Sequence, residues 1–258
     1  MKKQQAGNKT FYQFEQLLQN GLLHFTSTKR GWAGDGKSRF TGDSPESFAG
    51  YRAELAASLG LNGEQFVFPR QTHSDHIQVV HEPMSGVEVP DTDALITDVT
   101  GLCICVQTAD CVPILLFDPF QRVVAAIHSG WRGTVSKIAA KTLERMQTEF
   151  QSKPENILAG IGPSISSKNY EVSADVIQQI ERNFPNQANL LHPSANTGRA
   201  CLDLWAANKS LLMDSGVPEN QIEITGFCSF AGDHEFYSAR RDGLQTGRMV
   251  TGIMLSGI

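Results

Sequence analysis

One cysteine and two histidines stand where a chain can aim side chains at a common point. Thr108-Ala109-Asp110-Cys111 separates two apolar runs, Leu102 to Gln107 and Val112 to Phe117. Its polar groups therefore belong at a strand end or bulge, where side chains can face a site. His128 closes a third run, Val123 to Ile127, and precedes Ser129-Gly130-Trp131-Arg132-Gly133, whose glycines permit close backbone approach. Cys111 and His128 lie 17 positions apart (111 to 128) with one hairpin-like connection between them, so the two side chains can face each other. Two chemistries follow. The imidazole can activate the thiolate as a nucleophile, or both can bind zinc with a third ligand and leave the fourth position open to water.

Among seven histidines, the pair in Gln71-Thr72-His73-Ser74-Asp75-His76 is the close-set one. On an extended chain His73 and His76 point to opposite faces, so at most one reaches the site. A local pair on one face would need a helix, which the flanking β-branched residues disfavour; the plainer alternative is that both are polar loop residues. The turn Gly162-Pro163-Ser164 could offer amides to an anion, or simply reverse the chain. Arg240, Arg241 and Arg248 place three guanidinium groups within nine positions (240 to 248), suited to bidentate capture of phosphate or carboxylate. An ion-pair cluster with Asp242 is the competing account.

Regular elements must hold these residues. From Ser44-Pro45-Glu46-Ser47, the recurrence of Phe48, Tyr51, Leu55 and Leu59 predicts an amphipathic helix ending at Gly60. Phe66 to Phe68 and Ile77 to Val80 read as short strands, with His73 between or inside them. Ala94 to Thr97, Leu102 to Gln107, Val112 to Phe117 and Val123 to Ile127 give four strands and a central sheet. A helix from Thr134 to Met146 follows, with Thr134 as its hydroxyl cap. Ile157 to Ile161 is a strand, Ser173 can cap a helix carrying Val176, Ile177 and Ile180, and Leu204 to Met213 is helical. Ile222 to Phe227 and Met249 to Leu255 read as strands. The polar segments Lys29 to Asp43 and Asn186 to Arg199 read as flexible or lid-like loops. With no repeat or interdomain linker, residues 1–258 are expected to form a single α+β domain.

The bulk composition narrows the partner. With 22 basic against 27 acidic residues the net charge is −5, which gives no global field for nucleic acid. The apolar runs fall far short of the roughly 20 residues that span a bilayer, so no membrane partner is expected. Met1-Lys2-Lys3 leads into Gln4 and Gln5 rather than an apolar signal core, which predicts a cytoplasmic protein. Five cysteines without a CxxC pair read as reduced thiols, mostly core residues. A small molecule is the expected partner. Oligomeric state is not legible, and a monomer is compatible with the sequence.

Taken together the motifs resemble one family. Arg70-Gln71-Thr72-His73-Ser74, Asp93-Ala94-Leu95-Ile96-Thr97, Thr108-Ala109-Asp110-Cys111-Val112-Pro113 and Ala126-Ile127-His128-Ser129-Gly130-Trp131-Arg132-Gly133 occur in the order seen in the YfiH-like family. The likeness extends through Gly160 to Ile165, Tyr170-Glu171-Val172, Asp203 to Asn208, and Phe236-Tyr237-Ser238 to Arg248. That family is labelled multicopper polyphenol oxidoreductase or laccase-like; purine nucleoside phosphorolysis, adenosine deamination and peptidoglycan editing are also ascribed to it. The resemblance implies that His73, Cys111 and His128 are metal ligands. It also implies a layered α/β/β/α sandwich with mixed β-sheets, similar to cysteine-dependent deamidase toxins. Two positions depart from the pattern: Asn169 stands where relatives often have cysteine, and Tyr51 where asparagine usually precedes Arg52.

The chemistry so implied is a zinc-dependent purine nucleoside enzyme with nucleoside and phosphate as substrates. Zinc would lower the pKa of its bound water for attack on adenine C6. Asp93 or Asp110 would move a proton or orient a ligand histidine, and Arg52, Arg240, Arg241 or Arg248 would hold phosphate. A true multicopper oxidase needs more imidazoles than this chain offers, so laccase activity is rejected, while copper is expected as an adventitious occupant of the same ligands. Two alternatives stand beside this reading. One is a metal-free cysteine hydrolase acting on a peptidoglycan precursor, with Cys111 as nucleophile and His128 as base. The other is a zinc-stabilised binding protein, which needs a fourth protein ligand such as His76 or Cys105.

Overall fold

The computed structural model describes residues 1–83 and 88–257. Three strands open the chain: β1 (Lys2–Ala6), β2 (Lys9–Gln13) and β3 (Leu22–Ser27). Helix α1 (Glu46–Leu59) ends at Gly60, whose left-handed φ of +67° turns its amide back onto the Ala56 and Ala57 carbonyls. Strands β4 (Phe66–Val67), β5 (Ile77–Val79), β6 (Ala94–Thr97), β7 (Cys103–Thr108), β8 (Val112–Asp118) and β9 (Val123–Ser129) follow. Next come α2 (Trp131–Val135), α3 (Ile138–Phe150), β10 (Leu158–Ile161), β11 (Glu171–Val172) and α4 (Ala174–Asn183). The chain closes with β12 (Leu191–Pro193), β13 (Ala200–Leu202), α5 (Leu204–Asp214), β14 (Ile222–Ile224), α6 (Ala239–Asp242) and β15 (Met249–Leu255).

The strands build two large mixed sheets. The first runs β1-β2-β3-β15-β7-β4 and the second β14-β10-β8-β9-β6-β5, while β11-β13-β12 form a small third. Pairing is antiparallel apart from β4 with β7, β5 with β6 and β10 with β14. Side chains alternate across each strand. Along β8, Val112, Ile114 and Leu116 face helices α3, α4 and α5, while Leu115 and Phe117 meet Ile104 and Val106 of β7 in the space between the sheets. Along β7, Cys103 and Cys105 point the other way, onto Leu55 and Ala56 of α1. The order of layers is therefore helix α1, first sheet, second sheet, helices α3 to α5. Strands covered on both faces need apolar residues at every position, which explains why they read as continuous runs.

The protein is a mixed α+β fold, with differences from the sequence reading in detail. Strands β1, β2 and β3 were not anticipated, because Lys2–Ala6 is polar and Lys9–Gln13 alternates too little to stand out. The helix expected from Thr134 is broken: Lys137 takes a left-handed φ of +62°, so α3 starts at Ile138. Thr134 belongs instead to the short α2, where its hydroxyl donates to the Gly130 carbonyl. Ser173 precedes α4, but its hydroxyl bonds Asp175 rather than a helix amide. Among the described residues no helix is long and apolar enough to cross a membrane.

Candidate functional site

Strands β7 and β8 are consecutive in the chain but lie in different sheets, so Thr108 to Cys111 carries the backbone across the end of the sandwich. Asp110 makes that crossing at φ +91°, a region costly for a residue with a Cβ. Its buried carboxylate is held by the Ser229 hydroxyl and the Arg240 amide, each at 2.7 Å, and its carbonyl accepts from the Ile165 amide at 3.0 Å. This turn places Cys111 beside the end of β9, which carries His128.

His73 arrives from the loop between β4 and β5, also at positive φ, +61°. One carboxylate holds this loop in place. Asp93, fully buried, accepts the amides of Thr72 at 3.1 Å, His73 at 3.2 Å and Ser74 at 2.8 Å, together with the Ser74 hydroxyl at 2.8 Å. The same carboxylate accepts the Nδ1 proton of His128 at 2.7 Å. Burial would raise the Asp93 pKa, but hydrogen bonds and charge from His128 and hydrogen bonds from Ser74 outweigh it, so the carboxyl lies well below the usual range.

The geometry therefore brings together the three side chains that sequence proposed as ligands. One donor atom from each of His73, Cys111 and His128 lies within 4.8 Å of the others. Cys111 Sγ is 3.7 Å from His73 Nε2, and the two imidazole rings meet edge to face at 4.9 Å between centroids. A tetrahedral zinc with bonds of about 2.0 to 2.3 Å spaces its ligands about 3.5 Å apart, so the donor set fits one ion. Fixing Nδ1–H of His128 on a carboxylate leaves Nε2 as its free donor, the arrangement that histidine ligands need. Burial raises the Cys111 thiol pKa, but the charge and hydrogen bond of His128, then those of His73, bring it below its ordinary value. For His128 burial acts downward, and Cys111 and Asp93 more than offset it, so the imidazole pKa lies above its ordinary value.

His76 and Cys105 do not complete the set. The His76 ring is tied to Asp91, with Nδ1 at 3.1 Å from its carbonyl and 2.9 Å from its carboxylate. Cys105 is buried under α1, its sulfur 3.8 Å from that of Cys103. Among the described residues the cluster has three protein donors, with His73 exposed, which is the open pattern of a catalytic rather than a closed structural site.

The cluster opens into a cavity of about 530 Å³, within the range that takes a small ligand. Five arginines line it: Arg39, Arg70, Arg132, Arg240 and Arg248, with Trp131, Tyr170 and Leu244 as apolar surface. Asp110 is on the wall, but its carboxylate is committed to Ser229 and Arg240. Arg240 and Arg248 are thus where a substrate could meet them.

Arg52 and Arg241 are not. The Arg52 guanidinium lies between the Phe48 and Phe68 rings, at 4.2 and 4.4 Å, with Nε donating to the Phe40 carbonyl at 2.7 Å. It packs α1 onto the first sheet. Arg241 donates to the carbonyls of Ser229 at 2.9 Å, Phe230 at 2.7 Å and Phe236 at 2.9 Å, and pairs with Asp242 at 2.7 Å, which is the ion-pair alternative realised. The Gly162-Pro163-Ser164 turn has its amides occupied, by the Pro113 carbonyl at 2.9 Å and the Phe227 carbonyl at 3.2 Å. Sequence reasoning missed Arg39, which sits in a polar loop with no periodicity to flag it. It also gave no site role to Arg70, Arg132, Trp131 or Tyr170, although all four lie inside the motifs quoted above.

A family model described as multi-copper polyphenol oxidoreductase laccase matches residues 31–256. The chain belongs to that family. It is 34% identical over 249 residues to a purine nucleoside phosphorylase of Bacteroides thetaiotaomicron, covering 92% of each chain. It is 36% identical over 242 residues to an adenosine deaminase from an unknown prokaryotic organism, covering 88% of this chain and 92% of the relative. Among solved structures, YlmD from Geobacillus stearothermophilus superposes with a TM-score of 0.90 at 30% identity, covering 98% of both chains. The hypothetical protein YfiH of Bacillus licheniformis gives 0.88 at 31% identity, covering 97% of both. The family is the one the motifs pointed to, and its relatives bear the names of two purine nucleoside activities.

Proposed function

We propose that this protein is a zinc-dependent purine nucleoside enzyme, which cleaves adenosine- or inosine-type nucleosides with phosphate and deaminates adenosine. The observation that carries this reading is the open His73, Cys111 and His128 cluster at the base of an arginine-lined cavity, in a chain whose relatives are named for both reactions. In deamination, water supplies the oxygen that bonds to purine C6 as the C6–N bond breaks; one proton of that water leaves with the amino group as ammonia and the other ends on purine N1. A zinc ion held by the three side chains supplies the Lewis acidity that lowers the pKa of such a water. In phosphorolysis, a phosphate oxygen bonds to ribose C1′ as the C1′–N9 bond breaks, and its electron pair goes to the purine, which takes up a proton.

The protein's own residues set the stage for both. Asp93 fixes the His128 tautomer and the His73 loop. Trp131 and Tyr170 offer ring surface on which a base can stack. The lining guanidinium groups favour an anion and hold it in place, which supplies positioning and charge stabilisation.

The test is release of inosine and hypoxanthine from adenosine plus phosphate by zinc-loaded protein, chelator-stripped protein and Cys111→Ala. Zinc-dependent turnover that disappears in the variant is expected. Absence of turnover in every form would overturn the reading.

A second reading is favoured by one observation, the placement of Cys111 among two imidazoles, with its Sγ 3.7 Å from His73 Nε2 and His128 oriented through Nδ1 by Asp93 at 2.7 Å. A cysteine hydrolase acting on a peptidoglycan precursor would use Cys111 and His128 directly. It predicts loss of activity with a thiol alkylator and indifference to chelators, whereas the purine reading predicts loss with both.

A further inference from the structure

On one wall of the cavity two guanidinium groups are held side by side, neither with an ion-pair partner among the described residues. The backbone beside Arg39 is stitched to Arg248: the Arg248 amide donates to the Ser38 carbonyl at 2.7 Å, and the Ser38 hydroxyl donates to the Arg248 carbonyl at 3.1 Å. Both side chains then converge on one short turn. Arg39 donates Nη2 to the carbonyls of Gln245 at 2.8 Å and Thr246 at 3.4 Å. Arg248 donates Nη1 to the same Thr246 carbonyl at 2.7 Å and to that of Gly247 at 3.0 Å, and Nη2 to that of Leu244 at 3.1 Å.

Two cations that share one carbonyl oxygen are within a few ångströms of each other, and guanidinium groups stay protonated throughout the physiological range. The arginine ion pairs found among the described residues belong to Arg52, Arg70, Arg145, Arg199 and Arg241. Arg39 and Arg248 have none. Clustered positive charge of this kind is costly without a counter-ion. The Nε and Nη1 hydrogens of Arg39 meet no protein acceptor among the described residues, which leaves its planar fork available to a second charge carrier. Both arginines line the same cavity as His73, Cys111 and His128.

We infer that Arg39 and Arg248 form a subsite for a tetrahedral phosphate oxyanion, and that this subsite holds the attacking phosphate of phosphorolysis. The use made of the anion rests on the purine nucleoside reading; the binding of the anion does not. The same chemistry could be offered by inorganic phosphate or by the phosphate ester of a nucleotide, and the subsite is assigned to the former.

Isothermal titration calorimetry of the zinc-loaded full chain with inorganic phosphate, and separately with adenosine 5′-phosphate, tests the inference. Inorganic phosphate should bind the unaltered protein, and its Kd should rise at least tenfold in Arg39→Gln. Arg39→Lys, which keeps the charge but loses the fork, should fall between and guards against a variant that does not fold. The KM for phosphate should rise in parallel. Equal Kd values in the unaltered protein and Arg39→Gln would overturn the subsite, as would no phosphate binding at all. Binding of the nucleotide alone, with the same dependence on Arg39, would overturn the assignment to the attacking phosphate. Arg39-dependent phosphate binding without nucleoside turnover would leave the subsite standing and remove the purine reading. Turnover with an unchanged KM for phosphate in Arg39→Gln would do the reverse.

Discussion

The carboxylate of Asp93 accepts the Nδ1 proton of His128 and the amides of the loop that presents His73, so a single buried side chain positions both imidazoles. Asp93→Asn keeps the shape but removes the charge and turns one acceptor into a donor facing other donors. Zinc affinity, read by competition with a chromophoric chelator, should fall by about 10- to 100-fold. Leaving buried donors unmet should also cost roughly 1 to 3 kcal/mol in denaturant unfolding. An unchanged affinity would separate Asp93 from the metal site. At this scale Cys111 and His128 were legible as strand-end residues, whereas spacing left His73 and His76 open. The arginines were the least legible: Arg52 and Arg241 differ from Arg240 and Arg248 in the carbonyls, rings and carboxylates that surround them, and local sequence does not encode most of that.

Between His128 and Trp131, the connection from β9 into α2 passes close to two of the three donors. A Cβ built on Gly130 would lie 3.0 Å from Cys111 Sγ and 3.2 Å from His73 Cδ2. The Gly130 backbone, at φ −75°, suits any residue, so Gly130→Ala tests crowding of the site rather than strain in the chain. Zinc affinity is expected to drop by an order of magnitude or so, with a small change in melting temperature, since overpacking costs about 1 to 3 kcal/mol only where it cannot be relieved. A large loss of stability with unaltered zinc binding would refute this. Elements were read well where burial on both faces makes an unbroken apolar run, as in β8 and β9. Partnership was not: nothing in the run Cys103 to Thr108 says that β7 belongs to the sheet of β15 and β3 while its neighbour in sequence belongs to the other. The shift of the helix start from Thr134 to Ile138 turned on a single left-handed residue, Lys137.

For the molecule as a whole, acid stability should be set in part far from the cavity. His24 on β3 is 1% exposed, stacks on the Phe14 ring at 6.1 Å and donates Nε2–H to the Phe14 carbonyl at 3.2 Å, while its Nδ1 has no partner among the described residues. Burial, partly opposed by that hydrogen bond, lowers its pKa from 6.5 to about 4. On acidification the unfolded chain takes up the proton first. The contribution of His24 is therefore complete above pH 6.5 and is lost as pH falls towards 4, with a slope on the order of 1 kcal/mol per pH unit. Urea midpoints for the unaltered protein and His24→Phe, measured across that window, should converge as pH falls; parallel curves would show that His24 does not titrate as described.

The position of β15 has a consequence for the order in which the molecule can be completed. Met249–Leu255 lies between β3 and β7, so the first sheet consists of two separate pieces until the last strand arrives. A chain emerging from the ribosome would carry β1 to β3 and β7 with open edges for most of its synthesis, the exposure that favours wrong partners. The second sheet is different, because all of its strands precede residue 225. His73, Cys111 and His128 are thus available early, and Arg248 enters together with the strand that closes the sheet. A nascent chain that ends before Arg248 would then carry His73, Cys111 and His128 but lack one arginine of the cavity wall.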